Sequence, residues 1–159
     1  MADTRLISNI VGHGEKSPEQ LLANPANARI QPQGQQRLLE KALEAVGWID
    51  EVTVNRRTGR VVDGHLRVAI AMRRGEATVP VRYVDLTEEQ ELVALRTFDP
   101  LGDLAVWDDD LLRDLTVQVL ETDLVSDLLA ELDDIGAPTK SETHDEPKPE
   151  PERCPLCGK

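Results

Sequence analysis

Residues 61–67, with the sequence VVDGHLR, decide the fold because a strand pattern changes there into a helical one. Val61 and Val62 are β-branched and favour a strand. Gly64 interrupts that strand, and residues 66–74 have apolar side chains at helical spacing before Gly75. The stretch therefore predicts a strand, a tight turn and a helix in immediate succession.

A turn of this kind is suited to binding an anion. Gly64 lets a ligand approach the backbone, and the N-H groups and dipole at the start of the helix favour negative charge. Arg67 can add charged donors, and His65 can donate a hydrogen bond or act as an acid or base. The alternative is a sharp turn followed by an ordinary surface arginine, because short motifs often mislead.

The neighbouring segments predict a small domain around this turn. The apolar spacing of residues 33–46 predicts a helix that ends at Gly47, and the turn at residues 56–59 predicts a β-hairpin. Pro80 favours an edge strand or the start of a strand. The predicted strands are residues 52–54, 60–62 and 79–84.

The C-terminal half has helical signals followed by a segment with little to bury. Thr87 and Gln90 form a capping box that predicts a helix from about residue 88, which we expect to end before Pro100. Asp108 is the expected N-cap of another helix. A last helix is predicted from Leu124, Leu128, Leu129 and Leu132, and residues 136–153 are expected to be a disordered acidic linker.

Charge is distributed unevenly along the chain. The 159 residues carry a net charge of −12, but residues 24–84 hold 10 basic and 6 acidic side chains, whereas residues 85–159 hold 6 and 21. The central segment is therefore mildly basic, which suits a phosphate ligand but is also compatible with ordinary surface charge. No apolar run is long enough to span a bilayer, and the N-terminus lacks a signal-peptide pattern, so we expect a cytoplasmic protein without membrane contact.

Two further groups of residues are candidate sites. Asn27 and Arg29 follow a turn-forming asparagine and proline and could close over a phosphate, although a structural turn with a surface arginine is the alternative. Cys154 and Cys157 at the C-terminus form half of a zinc knuckle. Because structural zinc needs four ligands, a second tail from a homodimer or a partner protein would have to complete it, and an idle or reactive thiol pair is the alternative.

Taken together, the motifs resemble those of the ParB/sulfiredoxin superfamily. They resemble in particular the ParB N-terminal domain, also called the ParB-like nuclease domain, of the kind associated with phage and bacterial DNA methyltransferases. The matching motifs are NPANAR at residues 24–29, Gln35, GW at 47–48, VTV at 52–54, GHLR at 64–67 and VPV at 79–81. The likeness extends over about residues 20–135.

The resemblance implies an α/β (α+β) fold: a compact ParB N-terminal-like domain with a small mixed sheet and helices, then a helical extension and a disordered tail. The implied organisation is a flexible arm at 1–20, the nucleotide- or phosphate-binding domain at 21–86, the extension at 87–135, the linker at 136–153 and the half knuckle at 154–159. It implies a nucleoside triphosphate ligand, CTP or ATP with Mg²⁺. The implied binding residues are Asn27, Arg29, Gln35, Gly64, His65 and Arg67.

Departures from the family pattern bear on catalysis. Partition proteins have Gly-Glu-Arg-Arg where this chain has GHLR, so the acidic residue linked to hydrolysis is absent and His65 is the remaining catalytic candidate. No cysteine precedes residue 154, which excludes the sulfur chemistry of sulfiredoxin. We therefore expect a nucleotide-binding module in phage or mobile-element DNA metabolism, associated with DNA. The alternatives are an adaptor that binds a protein through residues 88–135 and the tail, and a metal-dependent nuclease, for which Asp63 alone is a poor metal site.

Overall fold

The computed structural model describes residues 6–120, together with Leu128 and Leu132. The strands are β1 (Ile10–Lys16), β2 (Val52–Asn55), β3 (Val61–Asp63) and β4 (Val79–Val84). The helices are α1 (Gln33–Val46), α2 (His65–Arg74), α3 (Glu88–Gly102) and α4 (Asp109–Leu120), with one 3-10 turn at Pro18–Gln20. None of the helices in this part of the chain has the length and apolar character needed to cross a membrane.

The four strands form one mixed sheet in the order β1-β4-β2-β3. β2 pairs with β3 as an antiparallel hairpin, and it pairs with β4 in parallel after the connection through α2. β1 adds to the other side of β4 in antiparallel orientation. The α+β fold with a small mixed sheet is therefore confirmed, as are the predicted hairpin and the strand after α2.

One face of the sheet makes the core. Val68 and Ala71 of α2 pack there against valines of three strands, because residues two apart in a strand point to the same face. These valines are almost completely excluded from solvent: Val52, Val54, Val61, Val79 and Val81. Burial of this face anchors α2, and with it the turn at Gly64, to the sheet.

The prediction for the N-terminal residues is wrong over part of its length. Residues 1–20 were expected to form a flexible arm, but Ile10–Lys16 is a strand that pairs with β4 along its length, from Ile10 opposite Val84 to Lys16 opposite Val79. The strand has no apolar alternation because most of its side chains are exposed at the edge of the sheet. Backbone hydrogen bonds to a distant strand stabilise it, and β4 is consequently an inner strand with Pro80 at its second position.

The helix ends were predicted with mixed success. The capping box is confirmed, since the Gln90 N-H donates to Thr87 Oγ1 (3.2 Å) and the Thr87 N-H to Gln90 Oε1 (2.9 Å). Asp108 also caps α4, accepting from the Leu111 N-H at 3.1 Å. The expected end before Pro100 is wrong, because α3 continues to Gly102. Proline near a C-terminus removes one backbone hydrogen bond and leaves the last turn in place.

Several predictions fall on residues outside the described part of the chain. Leu128 and Leu132 are helical, but the other residues of the last predicted helix are not described. The same holds for the predicted linker at 136–153 and for Cys154 and Cys157. The zinc knuckle therefore stays a prediction.

Candidate functional site

The turn between β3 and α2 is built around Gly64. This residue is buried and has φ 94° and ψ 17°, a left-handed conformation that favours glycine. A Cβ atom at this position would lie 3.2 Å from Val52 Cα, so the backbone of β2 also leaves no room for a side chain. The first helical hydrogen bond runs from the Val68 N-H to the Gly64 oxygen (3.0 Å), which places residues 65–67 at the helix end that favours an anion.

A second turn lies opposite, in the segment that leads into α1. Asn24 folds it by accepting the Ala26 N-H on Oδ1 (3.0 Å) and the Asn27 N-H on its backbone oxygen (3.0 Å). Asn27 repeats the pattern one step on, since its Oδ1 accepts the Arg29 N-H at 3.3 Å. The predicted turn-forming role of these asparagines is confirmed, and it directs Asn27 and Arg29 toward the start of α2.

Both turns and the start of α1 line one cavity of about 130 Å³. All six residues that were predicted to bind phosphate lie in its wall, although they come from three separate segments of the chain. These six are Asn27, Arg29, Gln35, Gly64, His65 and Arg67. The structure thus brings the predicted residues together, while their role in binding stays a prediction.

The two arginines of this cavity are held by carboxylates. Both terminal nitrogens of Arg67 donate to Asp50 Oδ2 at 2.8 Å, and one also lies 3.3 Å from Asp63 Oδ2. The Arg67 side chain is only 16% exposed. Arg29 pairs with Asp103 at 3.4 Å, in the segment after α3. Carboxylates therefore lie where the oxygens of a phosphate would be expected to contact these guanidinium groups.

His65 has a defined hydrogen bond on one ring nitrogen. Its Nε2 atom lies 3.3 Å from the backbone nitrogen of Asn24. A backbone N-H can only donate, so Nε2 accepts and the neutral ring carries its proton on Nδ1. This contact joins the start of α2 directly to the opposite turn.

A buried carboxylate lies behind the turn that carries Asn27. Glu91 of α3 is 3% exposed, and its oxygens accept from Asn24 Nδ2 (2.6 Å), Asn55 Nδ2 (2.6 Å) and Thr58 Oγ1 (2.7 Å). Burial raises the pKa of the Glu91 carboxyl, but the hydrogen bonds from Thr58, Asn55 and Asn24 and the charge of Arg60 outweigh it and lower the pKa below its usual value. Glu91 is consequently an anion at neutral pH.

A larger cavity, of about 670 Å³, adjoins the first between the second face of the sheet and α3. The two cavities share Val62, Asp63 and Leu95. The wall of the larger one is mainly apolar, with Ile10, Val84, Leu86, Val93, Ala94 and Phe98 among its residues. Arg82 is a cation in this wall, and it donates to Thr53 Oγ1 at 2.9 Å.

The carboxylates near the cavities do not form a metal cluster of their own. Over residues 6–120 no group of three or more His, Cys, Asp or Glu side chains is arranged to hold a metal ion. Asp63 is the carboxylate in the wall of the smaller cavity. Mg²⁺ often binds through one or two carboxylates together with substrate phosphates and water, so Asp63 fits a Mg²⁺ that arrives with a nucleotide.

Sequence reasoning missed several residues of this region. Asp50 and Asp103 were not singled out because ion pairs between distant segments leave no local pattern in a chain with 30 acidic residues. Glu91 was not singled out either, since the sequence predicted only that a helix begins near residue 88. Glu91 precedes Ala94 and Leu95 by three and four residues and so lies on the same side of α3. This spacing was the available signal, since a charge that is buried with apolar side chains needs partners.

Comparison with known proteins gives a likeness in structure alone. No protein-family model and no curated protein matches the chain. The fold is similar to the crystal structure of the C-terminally truncated chromosome-partitioning protein ParB from Caulobacter crescentus complexed with CTP-gamma-S, with a TM-score of 0.57 and 22% identity over 76% of this chain and 70% of that one. A Pnob8-like ParB-N domain matches with a TM-score of 0.44 and 22% identity over 54% of this chain and 34% of that one. The likeness to the Caulobacter protein shows that the chain has a ParB-like fold.

Proposed function

We propose that this domain binds a nucleoside triphosphate, with phosphate groups in the smaller cavity. The observation that carries the proposal is the convergence of Asn27, Arg29, Gln35 and residues 64–67 on one cavity. The helix start supplies backbone donors, and two guanidinium groups supply charge. CTP is the first candidate because the similar ParB structure is a complex with CTP-gamma-S, and ATP is the alternative.

In this proposal the adjoining apolar cavity holds the other part of the ligand, its base and ribose. A volume of about 670 Å³ is within the usual range for a small-molecule site, whereas about 130 Å³ suits only part of a nucleotide. The base and ribose would extend along Val62 and Leu95, which both cavities share. Asp63 would then lie beside the phosphates, where it could ligate Mg²⁺.

Arg67 is the residue on which this proposal is most easily tested. Phosphate would have to replace Asp50 as its partner, and a bidentate arginine contact supports both affinity and orientation. We expect titration calorimetry with CTP, ATP and GTP, each with Mg²⁺, to detect binding of at least one nucleotide. Arg67→Ala should weaken it by about tenfold or more, because a hydrogen bond to a charged group contributes about 1.5–3 kcal/mol.

A matched control is available outside the cavity. Arg113 is exposed on α4, where it pairs with the neighbouring Asp110 at 3.1 Å. Arg113→Ala should therefore bind nucleotide like the wild-type chain. The proposal is wrong if no nucleotide binds, or if Arg67→Ala and Arg113→Ala have the same affinity as the wild type.

Hydrolysis and the biological process are separate parts of the proposal. His65 is the candidate acid or base for hydrolysis of the nucleotide. Comparing the rate of phosphate release from the nucleotide by the wild type and by His65→Ala measures its role. The net charge of +4 over residues 24–84 supports association with DNA. The family resemblance of the sequence motifs is the ground for proposing phage or mobile-element DNA metabolism as the process. A gel-shift titration at two salt concentrations tests the DNA contact, because phosphate contacts weaken as salt rises.

An adaptor is the second candidate function, and the surface of α3 and of the segment that connects it to α4 favours it. Large apolar side chains are exposed there, with Phe98 at 72%, Leu104 at 75% and Trp107 at 59%. Exposed apolar patches of this kind often mark protein contacts. Light scattering after size exclusion, with and without Zn²⁺, would test self-association through this surface or through the Cys154 and Cys157 tail, and a zinc-independent monomer would contradict a zinc-linked dimer.

A further inference from the structure

Glu91 lies outside the cavity, yet it joins three segments of the domain. It belongs to α3, its Oε1 atom accepts from Asn24 in the turn before α1, and its Oε2 atom accepts from Asn55 and Thr58 in the hairpin. Each of these donors is neutral, and all are within 2.7 Å of a charged oxygen. Hydrogen bonds to a buried charge are strong and are lost at high cost, so the arrangement is rigid.

The hairpin provides a fixed support for this carboxylate. Asn55 is fully buried, and its side chain bonds both the oxygen (3.1 Å) and the N-H (3.2 Å) of Leu86 just before α3. Its Oδ1 also accepts the Arg57 N-H at 3.2 Å. Asn55 therefore fixes the start of α3 to the end of β2. These contacts hold Glu91 in place independently of its hydrogen bond with Asn24.

Asn24 connects Glu91 to the wall of the smaller cavity. Its side chain is bound to Glu91, its backbone N-H donates to His65 Nε2, and its backbone oxygen accepts the Asn27 N-H. The residue is 5% exposed, which leaves it little freedom to move. Moving Asn24 would consequently shift both Asn27 and the partner of the His65 ring.

We infer that Glu91 is a positioning residue of the proposed nucleotide site, acting through Asn24 on His65 and on the turn that carries Asn27 and Arg29. In this arrangement Glu91 touches no ligand. It fixes the neutral His65 ring in the form with the proton on Nδ1 and aligns the two walls of the cavity. The inference rests on the proposed function for its effect on nucleotide affinity, but its effect on the His65 ring does not depend on nucleotide.

The substitution that tests this is Glu91→Gln, which keeps the shape of the side chain and removes its charge. A glutamine would also present an NH₂ group to donors, so at least one of the three hydrogen bonds must break. Asn24→Ala removes the same link and leaves the carboxylate two of its three donors, so it carries the test if Glu91→Gln does not fold. Glu88→Gln is the matched control, because Glu88 is exposed in the first turn of the same helix.

The ring of His65 gives a readout that a general loss of stability would not change in a folded chain. Nitrogen NMR of the nucleotide-free wild type should show Nδ1 protonated and Nε2 unprotonated. Glu91→Gln and Asn24→Ala should convert this signal to a mixture of both ring forms, and each should weaken CTP binding by about tenfold, the effect of one hydrogen bond. Glu88→Gln should leave ring and affinity unchanged.

The outcomes separate this inference from the proposal on which it rests. If the wild type binds no nucleotide, the proposed function fails, and the ring measurement alone still decides whether Glu91 positions His65. If the folded variants keep the wild-type ring signal, Glu91 does not act on His65 and the inference is overturned. The same conclusion follows if the ring changes but nucleotide affinity stays that of the wild type.

Discussion

Replacing Gly64 by alanine perturbs the turn on which the domain is built. Gly64 has φ 94°, and an added Cβ would lie 3.2 Å from Val52 Cα and 3.3 Å from Val52 Cγ2. Val52 is fully buried in β2, so neither its backbone nor its side chain can move without disturbing the core. Gly64→Ala therefore combines an unfavourable backbone conformation with overpacking.

The two effects can be estimated separately. A left-handed conformation in a residue with a Cβ costs about 1–2 kcal/mol, and overpacking a core costs about 1–3 kcal/mol. We therefore expect Gly64→Ala to lower the free energy of unfolding by about 2–5 kcal/mol, a large part of the roughly 5–15 kcal/mol that a domain has. With a urea m-value of about 2 kcal/mol/M, the unfolding midpoint should fall by about 1–2.5 M.

Gly75→Ala is the matched control for this experiment. Gly75 also has a positive φ, 71°, but an added Cβ would meet no atom within 4 Å. Urea unfolding followed by circular dichroism should show a loss of about 1–2 kcal/mol for Gly75→Ala, which is the backbone effect alone. Equal losses for the two variants would refute the claim that Val52 closes off the space beside Gly64.

Three further predictions concern the stability of the nucleotide-free domain. The folded pKa of Glu91 lies below its ordinary value of 4.5, so its contribution to stability is complete above that value and is lost as pH falls through the folded pKa. The urea midpoint of the wild type should therefore fall toward that of Glu91→Gln as the pH is lowered from 7 to below 4.5, and parallel curves over this range would contradict this. Ile70→Ala should lower the free energy of unfolding by about 2–5 kcal/mol because Ile70 is 2% exposed, whereas Ile49→Ala, at 84% exposure, should change it by less than about 0.5 kcal/mol. Thr87→Ala should lower the free energy of unfolding by about 1 kcal/mol, because it removes the cap on α3. Thermal unfolding measures this, and an unchanged melting temperature would argue against that cap.

The parts of the fold that the sequence predicts are those with local signals. Helix α1 has apolar spacing with a terminal glycine, and the turn from β3 to α2 has a glycine between β-branched and helical residues. β1 has no such signal, because its IVGHGEK sequence becomes a strand only by pairing with β4, almost seventy residues away. The sequence predicted that α3 ends before Pro100, because proline usually ends a helix. In the structure α3 continues to Gly102, since proline removes only one hydrogen bond in the last turn.

The candidate site divides in the same way. The sequence predicted the turn at Gly64 and the residues Asn27 and Arg29, because turns and helix starts depend on residues that are neighbours in the sequence. The partners that hold them are not local, since Asp50 lies 17 residues from Arg67 and Glu91 lies 67 residues from Asn24. Which acidic side chain meets which donor depends on how distant segments pack together, and the sequence predicted neither β1 nor the order of the strands in the sheet.

The central claim is that the start of α2 binds the phosphates of a nucleotide, and backbone NMR tests it most directly. A ¹H-¹⁵N titration of the chain with CTP and Mg²⁺, repeated with ATP, follows the amides of residues 64–67 and 27–29 individually. The account predicts saturable shifts in both groups, with those of residues 64–67 among the largest because the proposed site places the phosphates next to their N-H groups. Absence of shifts with either nucleotide, or shifts confined to α4 and the edge strand β1, would contradict it.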